Sequence, residues 1–344
     1  MPAPHTPAGR RCHRRTCRGT SLIELMIAIA LGLLVIAGVS ALFINNSRAR
    51  AEIEKTSQQI ENGRYATQQL QEDLRLAGYY GELNPTPTAV ATPPTLPDAC
   101  ATDVTTLTAA LALPVQGIDN ASSVPSCISD VRAGSDILVV RRASTCVAGT
   151  AGCSAVDTTK SNYFQTSLCT ATMGQYVVGS DASKFILTQR DCTTKADIRS
   201  YYTRIYFVAN NNKVGDGIPT LKIAELGTTG FSTYSLVTGI EQLQLQYGIA
   251  TTSEAPTVFT GDPATYGACT GAGCQTNWRK VTTVKVHILA RNSLASQGFN
   301  DSRTYVLGQL ANGSDNAFGP FNDSFKRHAY TTVVRLNNIA GRFE

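Results

Sequence analysis

Gly19-Thr20-Ser21-Leu22-Ile23-Glu24-Leu25-Met26 opens an apolar run that continues to Ile44. From Leu25 to Ile44, 20 consecutive residues carry no charge. As a helix rising about 1.5 Å per residue they span roughly 30 Å, the thickness of a bilayer's hydrocarbon core. Only a helix satisfies its own backbone in lipid, so the stretch reads as a membrane helix. Glu24 sits within its first turns. A charge costs about 2.5–3.5 kcal/mol at the centre of a membrane helix and less near its edge, so a carboxylate kept there is expected to have a partner. Ahead of the run, Arg10, Arg11, Arg14, Arg15 and Arg18 lead to Gly19. A small residue between a basic leader and an apolar helix is the arrangement of a processing site.

Two ordinary explanations fit this end less well. A secretory signal peptide has an apolar region of about 7–15 residues and a small-residue cleavage site. This run is longer and contains Glu24. An uncleaved anchor leaves Gly19-Thr20-Ser21-Leu22-Ile23-Glu24 unexplained. The same eight residues resemble the class III signal of type IV prepilins and pseudopilins. The resemblance implies cleavage between Gly19 and Thr20 by a membrane-embedded prepilin peptidase and methylation of the new terminus. It also implies that Glu24, the fifth mature residue, recruits the next subunit. The family's first mature residue is most often Phe or Met, and here it is Thr20. The physics agrees with the role. The freed Thr20 amine is a cation, and in low dielectric it pairs strongly with a neighbour's Glu24 if the geometry is good. The alternative for Glu24 is a favourable place at the positive end of the helix dipole, worth about 0.3–1 kcal/mol.

The helix is expected to continue past Ile44. Ser47 to Ala77 contains no proline and only Gly63 as a glycine. Ile53, Ile60, Leu70, Leu74 and Ala77 recur at spacings that keep them near one helical face. Arg48, Arg50, Glu52, Glu54, Lys55, Glu61, Arg64, Glu72, Asp73 and Arg75 are assigned to the polar surface. Gly78-Tyr79-Tyr80-Gly81 supplies the stop. Gly32 and Gly38 read either as bending points or as close-packing positions. Glu61-Asn62-Gly63-Arg64-Tyr65 and Asp73-Leu74-Arg75-Leu76-Ala77-Gly78-Tyr79-Tyr80-Gly81 resemble the corresponding words of the PilW minor pilins. So do Gly217–Leu221, Leu236–Gly248 and Tyr330–Asn338.

Seven of the 14 prolines fall in residues 82–134, so this segment reads as a long exposed connection with a short helix near Thr106–Leu113. From Ser135 onward the pattern is strand-like. Ile137–Val140, Lys184–Thr188 and Tyr201–Val208 are apolar runs, and alternation marks 243–249, 284–288 and 330–336. Strands without intervening helical patterns favour an antiparallel sheet. The fold class is therefore α+β: a long N-terminal helix packed on a mainly antiparallel β-sheet head. Five segments follow: leader 1–19, membrane or filament-core helix 20–44, amphipathic continuation 45–81, connection 82–134 and β-rich head 135–344.

The leader holds five arginines and no acid, which leaves 25 basic and 25 acidic residues in the mature chain. The basic leader fits the positive-inside rule and puts the head outside the cytoplasm. The neutral remainder does not suggest a nucleic-acid partner. Of ten cysteines, Cys12 and Cys17 lie in the leader and read as incidental. Cys100, Cys127, Cys146, Cys153, Cys169, Cys192, Cys269 and Cys274 follow the anchor, and an even count there suggests disulfides in an oxidising compartment. Eight cysteines allow 105 pairings; sequential pairing, 100–127, 146–153, 169–192 and 269–274, is the expectation. The Asn210–Gly217 turns lack the final bidentate acid of a calcium loop. His287 and His328 fit structural or surface roles, and Trp278 core or rim. There is no G-x-S-x-G, P-loop, H-E-x-x-H or G-x-G-x-x-G. No catalytic residue, cofactor or metal is expected.

The resemblance implies a minor pilin of the inner membrane and then the pilus tip, supporting motility and adhesion. Its implied partners are other minor pilins, the major pilin, the prepilin peptidase and a tip adhesin. The nearest alternatives are a J-like minor pseudopilin of a type II secretion system and a tip-displayed binding module.

Overall fold

The structure is a computed structural model that describes residues 21–85, 89–250, 256, 258–267, 269, 272–310 and 313–341. Two compact units divide between Ile53 and Glu54. Gly19, Thr20 and the leader cysteines lie outside the described residues.

Helix α1 spans Leu22–Leu76, 55 residues. Between Leu25 and Ile44 it is apolar nearly all round. An 18-residue window has a mean hydropathy of 2.8, and none of it is buried. A helix of that kind belongs in a membrane or a core rather than in water, and this one is long and apolar enough to cross a bilayer.

In the second unit α1 is a packed helix. Its buried positions are Gln59, Gly63, Ala66, Leu70, Asp73 and Leu74, and Ala77 follows. The spacing of three and four is one helical face. Leu70, Leu74 and Ala77 lie on the expected stripe. Ile53 and Ile60 do not: both are exposed, and Gln59, Gly63 and Ala66 take the head-facing positions instead. The stripe drifts because 3.6 residues per turn do not keep a spacing of seven or ten in line over several turns. The helix stops at Gly78, whose φ of +73° is the left-handed conformation that closes a helix C-terminus. The Gly78 N–H then donates to Arg141 O at 3.0 Å, and Tyr79 O accepts from the Ala143 N–H at 2.7 Å.

The head contains two larger antiparallel sheets. The first has seven strands: β1 (Val115–Ile118), β2 (Ile137–Ala143), β3 (Asn162–Thr166), β4 (Tyr176–Gly179), β5 (Ile198–Ala209), β6 (Thr220–Leu226) and β7 (Phe231–Thr238). They run β1-β2-β5-β3-β4, with β6 beside β5 and β7 beside β6. The second has four strands in the order β13-β10-β8-β9: β8 (Ile240–Ile249), β9 (Val258–Thr260), β10 (Val281–Arg291) and β13 (Arg327–Arg335). Strands β11 (Tyr305–Gln309) and β12 (Asp315–Phe318) form a separate hairpin. Short helices α2 (Val104–Ala110), α3 (Ala272–Arg279) and α4 (Asn337–Ala340) complete the fold.

Alternation on β2 and β5 explains how the layers stack. Leu138, Val140, Tyr206 and Val208 face the main core, together with Leu70 and Leu74 of α1 and Val284 and Val286 of β10. Ile137, Val139, Ile205 and Phe207 face a second, smaller core. A sheet apolar on both faces needs a cover on each. The segment 82–134 supplies the second cover, which corrects its assignment as an exposed connection. Ala99 and Ile128 are buried in that smaller core, with Cys100 and Cys127 packed against it. Leu107, Leu111 and Leu113 enter the main core through and just after α2. The proline-rich start is held by Arg279, which donates to Val90 O at 2.6 Å and to Pro85 O.

Other expectations need amendment. Lys184–Thr188 is not a strand. It begins in a 3-10 turn, Ala182–Lys184, and makes a single bridge, Thr188 to Lys195. Strands β3 and β4 carry the pairing instead, and β1, β7, β11 and β12 are further strands that periodicity left unmarked. Strand β8 alternates in sequence, yet all of its residues are buried. Its polar face is covered by partners: Gln244 bonds Gly134 O and Asn316, and Gln246 bonds Gln309 O. Trp278 is core, edge-on to Tyr247 at 4.8 Å. His287 is buried and bonded to Thr331 and Gln246, while His328 is exposed. Burial, then Lys285, lowers the His287 pKa.

Candidate assembly helix and its seat on the head

At the start of α1, Ser21 accepts the Ile23 N–H on its hydroxyl at 3.3 Å, an N-terminal cap. Glu24 lies in the first turn and is exposed. Serine followed three residues later by glutamate is also the spacing of a capping box, so the same residue that fits an inter-subunit role also suits the start of its own helix. Leu22, Ile23, Leu34 and Phe43 are 77, 69, 69 and 73% exposed.

The second half of the helix is specified by its seat. Gly63 faces Tyr330 of β13, and a Cβ there would fall 2.2 Å from the ring's Cε2. Next to it, Asn62 donates to Thr238 O at 3.1 Å. Gln59 donates to Ala290 O at 2.8 Å and to Lys326 O at 3.0 Å. Further along, Gln71 donates to Thr332 Oγ1, and Asn338 of α4 donates to Ala77 O at 3.2 Å.

Asp73 is the centre of this seat. Its side chain is 4% exposed and accepts from Arg142 Nε at 2.6 Å, Arg204 Nη1 at 3.0 Å and Tyr206 Oη at 2.8 Å. Arg204 is also bonded to Glu225 at 2.7 Å. Burial opposes the Arg204 charge, but Asp73 and Glu225 outweigh it and hold the guanidinium above its usual pKa. Burial first, and then Asp73, raises the Tyr206 phenol. The placement of Asp73 on the polar surface is therefore corrected. A lone acid is admitted to an apolar stripe because two arginines and a phenol from β2 and β5 converge on it. The sequence signal was available: position 73 falls on the buried stripe at the three-and-four spacing from Gly63, Ala66 and Leu70.

A second buried ion cluster holds the four-stranded sheet. Arg327 has no exposed side-chain surface and meets Glu241 at 2.5 Å, Asp301 at 3.1 Å and Asp323 at 2.7 Å. The eight cysteines beyond the anchor are joined as Cys100–Cys127, Cys146–Cys153, Cys169–Cys192 and Cys269–Cys274. Among the described residues no group of acids, histidines or cysteines is placed to hold a metal ion.

Residues 205–338 match the family model described as type IV pilus-assembly protein W. Over those residues the head is similar to the PilW family. Residues 14–40 match the prokaryotic N-terminal methylation motif, which spans Gly19, Thr20 and Glu24. None of the curated protein sequences matches the chain. A solved type IV-like pilin from Thermus thermophilus is similar at 12% identity and a TM-score of 0.27, over 62% of this chain and 80% of that one. The PilW match begins in β5 and ends in α4, so it covers Tyr206, Tyr330 and Asn338, three of the groups that seat α1. The methylation motif and the apolar helix together point to membrane anchoring.

Proposed function

We propose that this chain is a minor pilin that helps start type IV pilus assembly within a tip-priming complex. The supporting observation is the joining of a methylation-motif N-terminus to a PilW head in one chain. In this reading residues 1–19 are removed by the prepilin peptidase, and Thr20 becomes the methylated terminus. The apolar half of α1 first holds the protein in the inner membrane with the head in the periplasm, where its disulfides form. It then leaves lipid for the filament core, where the helices of other minor pilins and the major pilin cover it. Glu24 pairs with a neighbour's terminal amine. Both environments are apolar, so the transfer does not expose the helix to water. The head supplies lateral contacts and a surface for a tip adhesin, and the filament supports motility and adhesion.

N-terminal sequencing of the protein purified from cells tests the reading: the mature chain is expected to begin at Thr20. A start elsewhere defeats it. Deletion of the chain is expected to remove surface pili. Intact pili with a block in protein secretion would transfer the chain to a type II secretion machine.

A further inference from the structure

A cavity of about 640 Å3 opens in the head beside β1, β8, the turn after β9, and β11. Three carboxylates line it, Asp98, Asp119 and Asp262, and no lysine, arginine or histidine is among its described lining residues. In the sequence itself, neither 76–131 nor 251–271 contains one. Asp119 Oδ1 lies 3.6 Å from where a Cβ on Gly261 would stand, which sets it against the Asp262 turn. Behind them Asp136 is buried, accepting the N–H groups of Asn120 at 2.8 Å and Leu245 at 2.7 Å. Behind the lining, the buried Arg141 donates to Gln116 Oε1 at 2.9 Å and lies in the field of Asp98, while no cation is among the described lining residues.

Tyr247 gives an independent sign. The residue is 1% exposed, and its hydroxyl has no hydrogen-bond partner among the described residues. The oxygen lies 2.0 Å from where a Cβ on Gly117 would stand, at the cavity wall, and in the field of Asp136, Asp262 and Asp119. This buried phenol, packed against Gly117 of the cavity lining and in the field of these carboxylates, is a polar group left to be satisfied.

The remaining lining decides the ligand class. Leu96, Ile118 and Leu307 offer apolar wall. The side-chain amides of Gln116, Gln244 and Gln246 already bond the carbonyls of Pro97, Gly134 and Gln309. A bare calcium ion needs six to eight oxygens at about 2.3–2.6 Å, and among the described residues no three acids, histidines or cysteines are grouped to hold a metal ion. Apolar wall with acid around it suits an aliphatic stem ending in a cation.

We propose that this cavity receives the arginine or lysine side chain of a partner protein. Charge complementarity selects the occupant, and the proposal stands apart from the pilus reading. Two acids at this site, Asp262 and Asp136, have raised pKa values. Burial is the main cause for both Asp262 and Asp136, and Asp136 reaches about 8. A bound cation favours their ionised forms, so binding releases protons and tightens as pH rises from 6 to 8. The groups that face Asp136 and Asp262 are Asp119 and Tyr247, none of them cationic at these pH values.

Trp278, the chain's single tryptophan, touches Tyr247 and serves as reporter. The full mature chain in detergent is titrated with acetyl-Gly-Arg-Gly-amide at pH 8. A saturable change in emission is expected, at least tenfold weaker in affinity at pH 6 and in the Asp119→Asn/Asp262→Asn double variant. The uncharged citrulline analogue, tested on the unaltered chain, is expected not to bind, which keeps the test decisive if the double variant folds poorly. Absence of a saturable response, equal binding of the citrulline analogue, or calcium chloride binding in place of the peptide would each overturn the proposal.

Discussion

The two halves of α1 share a backbone and differ in what completes them. Between Leu25 and Ile44 the side chains are apolar on nearly every side and exposed. Between Gln59 and Ala77 nearly every inward position is answered by one group of the head: Gln59 by two carbonyls, Gly63 by the Tyr330 ring, Asp73 by two arginines and a phenol. The first half needs only an apolar surrounding and tolerates many. The second half accepts one partner surface. Non-directional burial scales with area, whereas hydrogen bonds and buried charges require placed partners. That difference fixes one end of the helix by placed partners while the other requires only apolar surroundings.

Three sets of substitutions test this contrast by thermal melting of the purified chain in detergent. Asp73→Ala has the largest expected effect. It leaves Arg142 and Arg204, with side chains 11 and 22% exposed, facing each other without their shared acid. A loss of about 3–5 kcal/mol is expected, and an unchanged melting temperature would show that the seat is not organised by that acid. Gly63→Ala comes next. The new methyl meets the Tyr330 ring, at an expected cost of about 1–3 kcal/mol, and Tyr330→Ala in the same chain is expected to recover part of it. Additive losses in the double variant would refute the contact. The smallest effects belong outside the seat. Ile53→Ala, at a position 66% exposed, and Glu24→Ala are each expected to stay within about 0.5 kcal/mol. Glu24→Ala is also expected to leave processing intact and to abolish filament assembly. A large drop in head stability from either would erase the distinction between the halves.

The membrane helix, its extension to a glycine stop, and strands β2, β5, β8, β10 and β13 were legible because each rests on a short-range period or a local breaker. Leu70, Leu74 and Ala77 show this for the helix, and Ile137–Val140 for the sheet. Asp73 was misplaced because its chemistry at the surface and at a buried three-way bond is written with the same letter. Ile53 and Ile60 were misplaced for the converse reason: an isoleucine alone does not say whether a partner surface reaches it. Residues 82–134 resemble a linker in composition, and only the second apolar face of β2 and β5 reveals what their few hydrophobic residues cover. Strands β3 and β4 were missed because Asn162, Gln165 and Tyr176 break the apolar alternation while their neighbours bury them.

The sequence by itself determined the parts governed by neighbours along the chain: a helix of bilayer length with an acid near its start, a glycine that ends it, and strands marked by alternation. Only the tertiary structure decided which face of that helix is held, why an aspartate is buried there, and which distant loop closes the second side of the sheet. The first two outcomes depend on groups more than sixty residues apart, Asp73 and Arg142 being separated by 69. Partners that far apart leave no periodic trace in the chain, because their spacing is set by packing in space.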